Sequence, residues 1–145
     1  MRPWLKVIML LLIAIAVVTY RESRAILRAT LSGSVACEVI SVVDGDTIIV
    51  SCPDRGFERT RLMGFDTPEV FSPQCLSESW AGAKATLALR KRIWSAKEVK
   101  LVFRGTDKYG RRLALLLLDG TNVSNLMIEA GHARSYAGGK REGWC

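Results

Sequence analysis

Acidic residues cluster in two apolar, strand-like stretches of the sequence. The first is VDGDT at residues 43–47, and the second is RLMGFDTPE at residues 61–69. A carboxylate in an apolar strand costs free energy unless it is hydrogen-bonded, ion-paired or bound to a metal. We therefore expect these acids to form a site rather than to be scattered surface charges.

Asp46 and Asp66 come close together if the strand that ends near residue 66 lies beside the hairpin that carries Asp46. Two carboxylates with a backbone carbonyl and waters are typical of a Ca²⁺ site and suit Mg²⁺ less well. The four cysteines form no Cys-x-x-Cys motif, and His132 is the single histidine. This pattern argues against a zinc site.

Two arginines and a further acid extend this chemistry. Arg61 lies five residues before Asp66 on the same predicted strand, and Arg111 follows a tight turn. Guanidinium groups beside metal-binding carboxylates suit a phosphodiester, because they stabilise the charge that develops on phosphoryl oxygens. Glu69 could orient or deprotonate an attacking water. Each residue alone is equally typical of a turn or a surface ion pair, so only the combination supports a phosphodiesterase site.

The elements that position these residues are mostly short strands. We predict a hairpin over residues 37–52 with its turn at Asp44-Gly45, because glycine accepts the positive φ of a two-residue turn. Further strands are predicted at 57–63, 98–103 and 112–118. Together they suggest an α+β, mainly β fold, a small, partly closed antiparallel barrel of the OB type with five strands.

Two helices are predicted within this barrel. The longer one runs from a cap at Ser77 to about Trp94, and a shorter one follows Thr121 or Asn122 and ends before Gly131. Apolar residues recur along the longer helix at the spacing of one face, which we expect to be buried. They are Leu76, Trp80, Ala83 and Leu87.

The cysteine positions predict two disulfides. Residues paired across a two-residue turn at Asp44-Gly45 have numbers that sum to 89, which places Cys37 directly opposite Cys52. Such a pair is close enough to be bridged. Cys75 and Cys145 then remain for a second, weaker pairing. Disulfides indicate an oxidising compartment.

The N-terminus combines basic residues with an apolar run. Residues 7–18 contain no polar side chain and follow Arg2 and Lys6, as in a secretory signal or a short membrane anchor. A full span needs about 20 apolar residues, so a cleaved signal and an anchor through residues 5–20 both stay open. We predict a signal or anchor at 1–20, a linker at 21–34 and the barrel domain at 35–145. Accordingly, we expect export, either to the periplasm or medium or anchored facing the oxidising side.

Over roughly residues 36–136 the sequence resembles the staphylococcal nuclease, or thermonuclease, family. The matching motifs are VVDGDTIIV, RLMGFDTPE, DKYGRRLA and NVSNLMIEAGHAR. The resemblance implies a Ca²⁺-dependent nuclease on an OB barrel that hydrolyses DNA or RNA, and we expect a monomer. This chain would be a short form, because the best-known members continue into a long C-terminal helix.

The resemblance also implies roles for individual residues. Asp46 and Asp66 would bind Ca²⁺ with the Thr67 carbonyl, and Asp44 would support them from the same turn. The catalytic residues would be Arg61, Arg111 and Glu69, with Lys108 and Tyr109 near the substrate. Two other interpretations remain: a non-catalytic OB module that binds nucleic acid or protein, and a domain that uses calcium only for stability.

Overall fold

The computed structural model describes residues 4, 8–9, 11–17 and 37–145. The chain divides into two units, Met1–Ala36 and Cys37–Cys145. In the first unit residues 11–17 are helical with exposed apolar side chains. Among the described residues no helix is both long and apolar enough to cross a membrane. The predicted linker at 21–34 lies outside the described residues, as does part of the predicted signal or anchor.

Five strands form the central sheet of the second unit. Their order in space is β1, β2, β3, β6 and β5. Val and Ile dominate β1 and β2, as is typical of strands with one buried face. The strands run over Glu38–Val42 (β1), Thr47–Cys52 (β2), Gly56–Leu62 (β3), Val99–Thr106 (β5) and Arg112–Leu118 (β6).

Short elements complete this unit. Strand β4 (Gly64–Asp66) pairs with β8 (Arg134–Tyr136) in a separate two-stranded sheet, and β7 (Thr121–Asn122) pairs with β6. Helix α1 spans Leu76–Ser95, and helix α2 spans Val123–Glu129. The sequence patterns had not indicated β4, β7 or β8, because two or three residues carry no periodicity.

The mainly β, α+β prediction is confirmed, but one detail of the barrel differs. Strand β3 pairs with β6 in parallel, whereas an antiparallel barrel was expected. Among the described strands, β1 and β5 are the two ends of the sheet path, so the sheet is not closed. The chain between β3 and β6 runs through β4, α1 and β5, and such a long connection is what allows two strands of a sheet to pair in parallel.

The hairpin of β1 and β2 differs from the two-residue turn that the sequence suggested. Its loop covers residues 43–46, and the backbone N–H of Val43 donates to the Thr47 carbonyl at 2.9 Å. The register near the loop is therefore one residue off, with Val42 opposite Ile48. A bulge between Val39 and Ser41 absorbs the extra residue and restores the expected register toward the open end.

Both predicted disulfides are present. Cys37 and Cys52 are joined with their Cα atoms 4.3 Å apart, as in a non-hydrogen-bonded pair of opposite strand residues. The prediction succeeded because the bulge compensates for the longer loop. Cys75 and Cys145 are also joined, with Cα atoms 6.1 Å apart, which fixes the C-terminal residue to the start of α1.

The predicted buried face of α1 is wrong. Leu76, Trp80 and Leu87 are largely exposed, with Trp80 at 70% and Leu76 at 83%. The opposite side of the helix packs inward instead, through Glu78, Gly82, Ala85, Leu89 and Ile93. Periodicity alone selected the wrong face, because the buried face combines small residues, Gly82 and Ala85, with the apolar Leu89 and Ile93.

The helix ends also differ in how they are capped. Helix α1 begins after Cys75, which makes no side-chain cap, so Ser77 does not cap it as predicted. Helix α2 follows the prediction: the Asn122 side chain accepts a hydrogen bond from the Ser124 N–H. Gly131 follows α2 at a φ of 72°, which a glycine adopts without strain.

Candidate active site

The loop that carries Asp46 is organised by its own aspartates. The Asp46 N–H donates to Asp44 Oδ1 at 3.0 Å, and the Asp46 carbonyl accepts from the Leu62 N–H of β3 at 2.8 Å. Asp44 thus supports the loop, as the sequence suggested. These bonds tie the loop to β3, the strand that carries Arg61.

Gly45 is required in this loop for a different reason from the expected one. Its φ is not positive, unlike that of eight other glycines among the described residues. A Cβ atom placed on Gly45 would lie 2.6 Å from Thr67 Oγ1 and 2.9 Å from the Ala85 Cβ. The missing side chain therefore lets the loop pack against Thr67, the residue that follows Asp66.

The buried Asp46 carboxylate is held by three donors. Arg61 Nη1 donates to Asp46 Oδ1 at 2.6 Å, and the Thr47 hydroxyl donates to the same oxygen at 3.1 Å. The Thr67 hydroxyl donates to Asp46 Oδ2 at 3.3 Å. Burial raises the pKa of Asp46 to about 6, even though the charges of Arg61 and Arg141 act in the opposite direction.

Asp66 ends β4 and is 1% exposed. Its Oδ2 accepts from Arg134 Nη2 at 3.0 Å and from the Trp144 indole N–H at 3.1 Å. Its Oδ1 lies 3.7 Å from Arg61 Nη2. Arg61 thus faces both aspartates, and the predicted convergence of Asp46 and Asp66 is seen in the structure. We call Asp46, Asp66 and Thr67 the acid pocket.

The donor set of the acid pocket fits a hard divalent cation. Among the described residues, Asp66 Oδ1 is a buried oxygen without a hydrogen-bond donor. The two buried carboxylates are hard oxygen ligands of the type that Ca²⁺ prefers. If a cation binds, Asp46 and Asp66 would hold it, with the Thr67 carbonyl beside them.

The three residues assigned to catalysis line one groove. Arg61, Glu69 and Arg111 border a cavity of about 1260 Å³, and Asp44 lies on the same wall. Lys108 and Tyr109 border it too, as expected for residues near a substrate. In the described part of the chain, Arg111 makes no ion pair with the acid pocket.

Arg111 is held by its own turn. Its Nη2 and Nε each lie 2.8 Å from Asp107 Oδ2, and its backbone N–H donates to Asp107 Oδ1 at 2.9 Å. Burial alone would raise the pKa of Asp107, but the hydrogen bonds from Arg111 and Tyr109 lower it below its ordinary value. We call residues 107–111 the arginine turn.

The sequence patterns missed four residues at the acid pocket. Arg141 pairs with Glu69 through Nη1 at 2.6 Å and with Asp66 through Nε at 2.8 Å. Burial opposes its charge, but Asp66 and Asp46 raise the pKa of Arg141 above its ordinary value. The other three residues that were missed are Glu78, Arg134 and Trp144.

One signal could have found Arg141 and Trp144. The predicted bridge from Cys75 to Cys145 places residues 138–144 beside the loop that follows Glu69, so a basic residue there meets an acid. Glu78 behaves differently, because it is buried and accepts the N–H groups of Gln74 at 2.6 Å and Glu69 at 3.3 Å. It therefore shapes the loop that presents Glu69.

The fold and the groove define the class: a small, mainly β protein with arginines and acids around one groove. The staphylococcal nuclease homologue family matches residues 59–143 of the chain. The chain belongs to this family. The prediction from the sequence motifs is thereby confirmed.

Individual relatives agree with this assignment. An uncharacterized protein of Bacillus anthracis is 37% identical over 99 residues, which cover 66% of this chain and 44% of that protein. A thermonuclease of Staphylococcus intermedius is 35% identical over 96 residues, which cover 65% of this chain and 55% of that protein. A thermonuclease of Staphylococcus hyicus is 33% identical over 100 residues, which cover 68% of this chain and 57% of that protein. The chain spans about half the length of these relatives.

Proposed function

We propose that this protein is a nuclease that hydrolyses phosphodiester bonds of DNA or RNA with the help of Ca²⁺. Relatives named thermonuclease support the nuclease activity. The observation that carries the proposal is the joint lining of one groove by Arg61, Glu69 and Arg111. A calcium-binding or nucleic-acid-binding domain without catalysis has no need for this combination.

In this proposal Asp46 and Asp66 hold the cation, which would supply positive charge at the phosphate and lower the pKa of a bound water. Arg61 borders the groove, and among the described residues its Nη2 makes no hydrogen bond, so the guanidinium has donor capacity that a phosphoryl oxygen could use if the side chain shifts toward the groove. Arg111 faces the same groove from the arginine turn. The two guanidinium groups stabilise the charge that develops on the phosphoryl oxygens.

Glu69 is assigned to the attacking water. Its side chain is 42% exposed, so water and substrate can reach it, unlike the aspartates of the acid pocket. An exposed carboxylate beside the groove can accept a proton from water as that water attacks the phosphorus. Lys108 and Tyr109 would contact the nucleic acid on either side of the cleaved bond.

A nuclease assay on the full chain tests this proposal. Single-stranded DNA and RNA labelled with a fluorophore should be cut with Ca²⁺ and left intact with a chelator. Glu69→Gln and Arg111→Ala should each slow cleavage by about 100-fold or more. The matched controls, Glu129→Gln and Arg104→Ala, alter exposed residues away from the groove and should keep the parental rate.

Two outcomes would favour other functions. Binding of DNA or RNA without cleavage, unaffected by Ca²⁺, would identify a non-catalytic binding module. A rise in melting temperature with Ca²⁺, without cleavage or nucleic-acid binding, would identify a purely structural metal site. If Glu69→Gln and Arg111→Ala both cut at the parental rate, the assignment of catalytic residues is wrong.

We also propose that the protein is exported and acts as a monomer. The two disulfides indicate an oxidising environment. The basic start and the apolar run in residues 1–20 favour a signal peptide or an anchor through residues 5–20, followed by a linker at 21–34 and the nuclease domain at 35–145. N-terminal sequencing of the protein from an expressing cell separates cleavage from anchoring.

A further inference from the structure

The guanidinium of Arg141 makes ion pairs with three carboxylates at once. Its Nε lies 2.8 Å from Asp66 Oδ1, its Nη1 lies 2.6 Å from Glu69 Oε1, and its Nη2 lies 3.5 Å from Asp46 Oδ2. Each of its three nitrogens therefore faces a different acid. These acids are the two assigned cation ligands and the residue assigned to the attacking water.

The C-terminal segment 138–145 delivers Arg141 to this position. The disulfide from Cys145 to Cys75 fixes its end, and the Trp144 indole N–H donates to Asp66 Oδ2. Arg134 donates to the carbonyls of Glu142 and, at 3.0 Å, of Gly143. Contacts on both sides of Arg141 thus limit how far its side chain can move from the acids.

A guanidinium and a divalent cation need the same carboxylate oxygens. Asp66 Oδ1 is a clear case, because it is buried and faces Arg141 Nε without forming a hydrogen bond. The balance of charges in the cluster also disfavours a bound cation. Three carboxylates are matched by the guanidinium groups of Arg61, Arg134 and Arg141, so the cluster attracts a further cation less strongly than the acids alone would.

We propose that Arg141 is a built-in competitor for the cation site, held in place by the disulfide between Cys75 and Cys145. Cation binding to Asp46 and Asp66 then requires the guanidinium to leave, and Glu69 is released in the same movement. The proposal rests on the calcium site of the proposed function. Its consequence is that the cation requirement of the enzyme is set by the C-terminal segment as well as by the ligands.

Calorimetric titration with Ca²⁺ and luminescence titration with Tb³⁺ test the competition without any substrate. Trp144 contacts Asp66, so its indole is placed to sensitise Tb³⁺ in the acid pocket. Arg141→Gln should tighten binding of both ions about tenfold, because it removes one charge that opposes them at this distance. Circular dichroism should show that the variant is folded.

Lys140→Gln is the matched control. It removes the same charge from the neighbouring residue, which is exposed, so the affinity should stay within about twofold of the parent because exposed charges are screened. Arg141→Lys keeps the charge but loses the planar fork and should fall between the parent and Arg141→Gln. Unchanged or weaker binding in Arg141→Gln would overturn the proposal.

The role of the disulfide in holding Arg141 near the acids is tested by replacing both Cys75 and Cys145 with serine. We expect the double-serine variant to bind the ions more tightly than the parent. Adding Arg141→Gln to the double-serine variant should then increase ion affinity less than it does in the parent. If Arg141→Gln has its full effect in both backgrounds, the disulfide does not hold the competitor.

A last variant separates this proposal from the proposed function. Asp66→Asn combined with Arg141→Gln should bind the ions far more weakly than Arg141→Gln alone. If it binds them equally well, the calcium site itself is misassigned. If ion binding needs Asp66 but does not respond to Arg141, the calcium site stands and only the competition is wrong.

Discussion

The two sides of the groove are built in opposite ways. The acid pocket lies at the ends of buried strands, and each aspartate takes hydrogen bonds from residues distant in sequence, such as Arg61 to Asp46 and Arg134 to Asp66. The arginine turn is local, because Arg111 is bound by Asp107 four residues away. One side depends on the whole fold and the other on a single turn.

This difference predicts which substitutions should affect both stability and activity and which should affect activity alone. Changes in the acid pocket remove partners from buried charges, so they should affect both folding and catalysis. Changes in the arginine turn affect an ion pair near the surface, so they should affect catalysis alone. Variants on the two sides of the groove should therefore differ most in how much stability they lose.

The strongest test compares the two arginines. Arg61→Ala should lower the free energy of unfolding by about 3–5 kcal/mol, because it leaves the buried Asp46 without its closest partner. Arg111→Ala should lower it by no more than about 1 kcal/mol. Both variants should lose nuclease activity by 100-fold or more, on the order expected for a lost transition-state donor. Urea unfolding followed by circular dichroism measures the first quantity.

Similar losses of stability in the two variants would contradict the prediction that the acid pocket contributes more to folding than the arginine turn does. Arg104→Ala serves as a control for removing an exposed arginine from a strand. Its unfolding free energy and its cleavage rate should both remain near those of the parent.

A pair of glycines sharpens the comparison at smaller energies. Gly45→Ala places a Cβ atom against Thr67 and Ala85, and we expect a loss of about 2–3 kcal/mol from overpacking. Gly110→Ala in the arginine turn has open space around it, but its φ of 81° strains a side chain, which costs about 1–2 kcal/mol. Thermal unfolding of both variants measures the two costs.

The activities of the two glycine variants should differ in the cation they require. Gly45→Ala pushes the Asp46 loop away from Thr67, so it should raise the Ca²⁺ concentration needed for half-maximal cleavage. Gly110→Ala should leave that concentration unchanged. A shift in the Ca²⁺ requirement of Gly110→Ala would mean that the two sides are coupled.

The smallest effect is a difference in pH dependence. Because the pKa of Asp46 is raised to about 6, the folded protein holds its proton more tightly than the unfolded chain does. Without divalent cations, this contribution stabilises the fold below about pH 4 and is lost as the pH rises through about 6. Asp107 behaves oppositely: its lowered pKa gives stability that is present above about pH 4 and lost only in more acidic solution.

Thermal unfolding of Asp46→Asn and Asp107→Asn between pH 4 and 7 tests this contrast. The melting temperature of Asp46→Asn relative to the parent should rise with pH by a few degrees, because the amide does not ionise. That of Asp107→Asn relative to the parent should stay level. A level difference for Asp46→Asn would show that Asp46 is already ionised at the lower end of this range.

The parts of the fold that follow from local patterns could be predicted from the sequence. Strand β6 has the predicted bounds, and Asn122 caps α2 as expected. The convergence of Asp46 and Asp66 was predictable because Asp46 directly precedes β2, which pairs with β3, and Asp66 lies a few residues beyond the end of β3. The disulfide between Cys37 and Cys52 followed from strand register, although a bulge at Ile40 was needed to restore it.

Features that depend on long-range packing could not be predicted in this way. Helix α1 has one apolar face that includes Trp80 and a second face that includes Ala85, Leu89 and Ile93, and periodicity does not say which of the two is buried. Gly45 was assigned to turn geometry, whereas it is required by the approach of Thr67. Arg141 reaches the acid pocket only because the C-terminal segment folds back, and that depends on where Cys145 docks.

The docking of Cys145 has a practical consequence. Its disulfide to Cys75 and the contact of Trp144 with Asp66 place the last residue of this sequence beside the acid pocket. Any residues attached after Cys145, such as a polyhistidine affinity tag, would begin there and bring their own metal-binding groups to the cation site. A C-terminal affinity tag would therefore alter the calcium affinity that a titration is meant to measure.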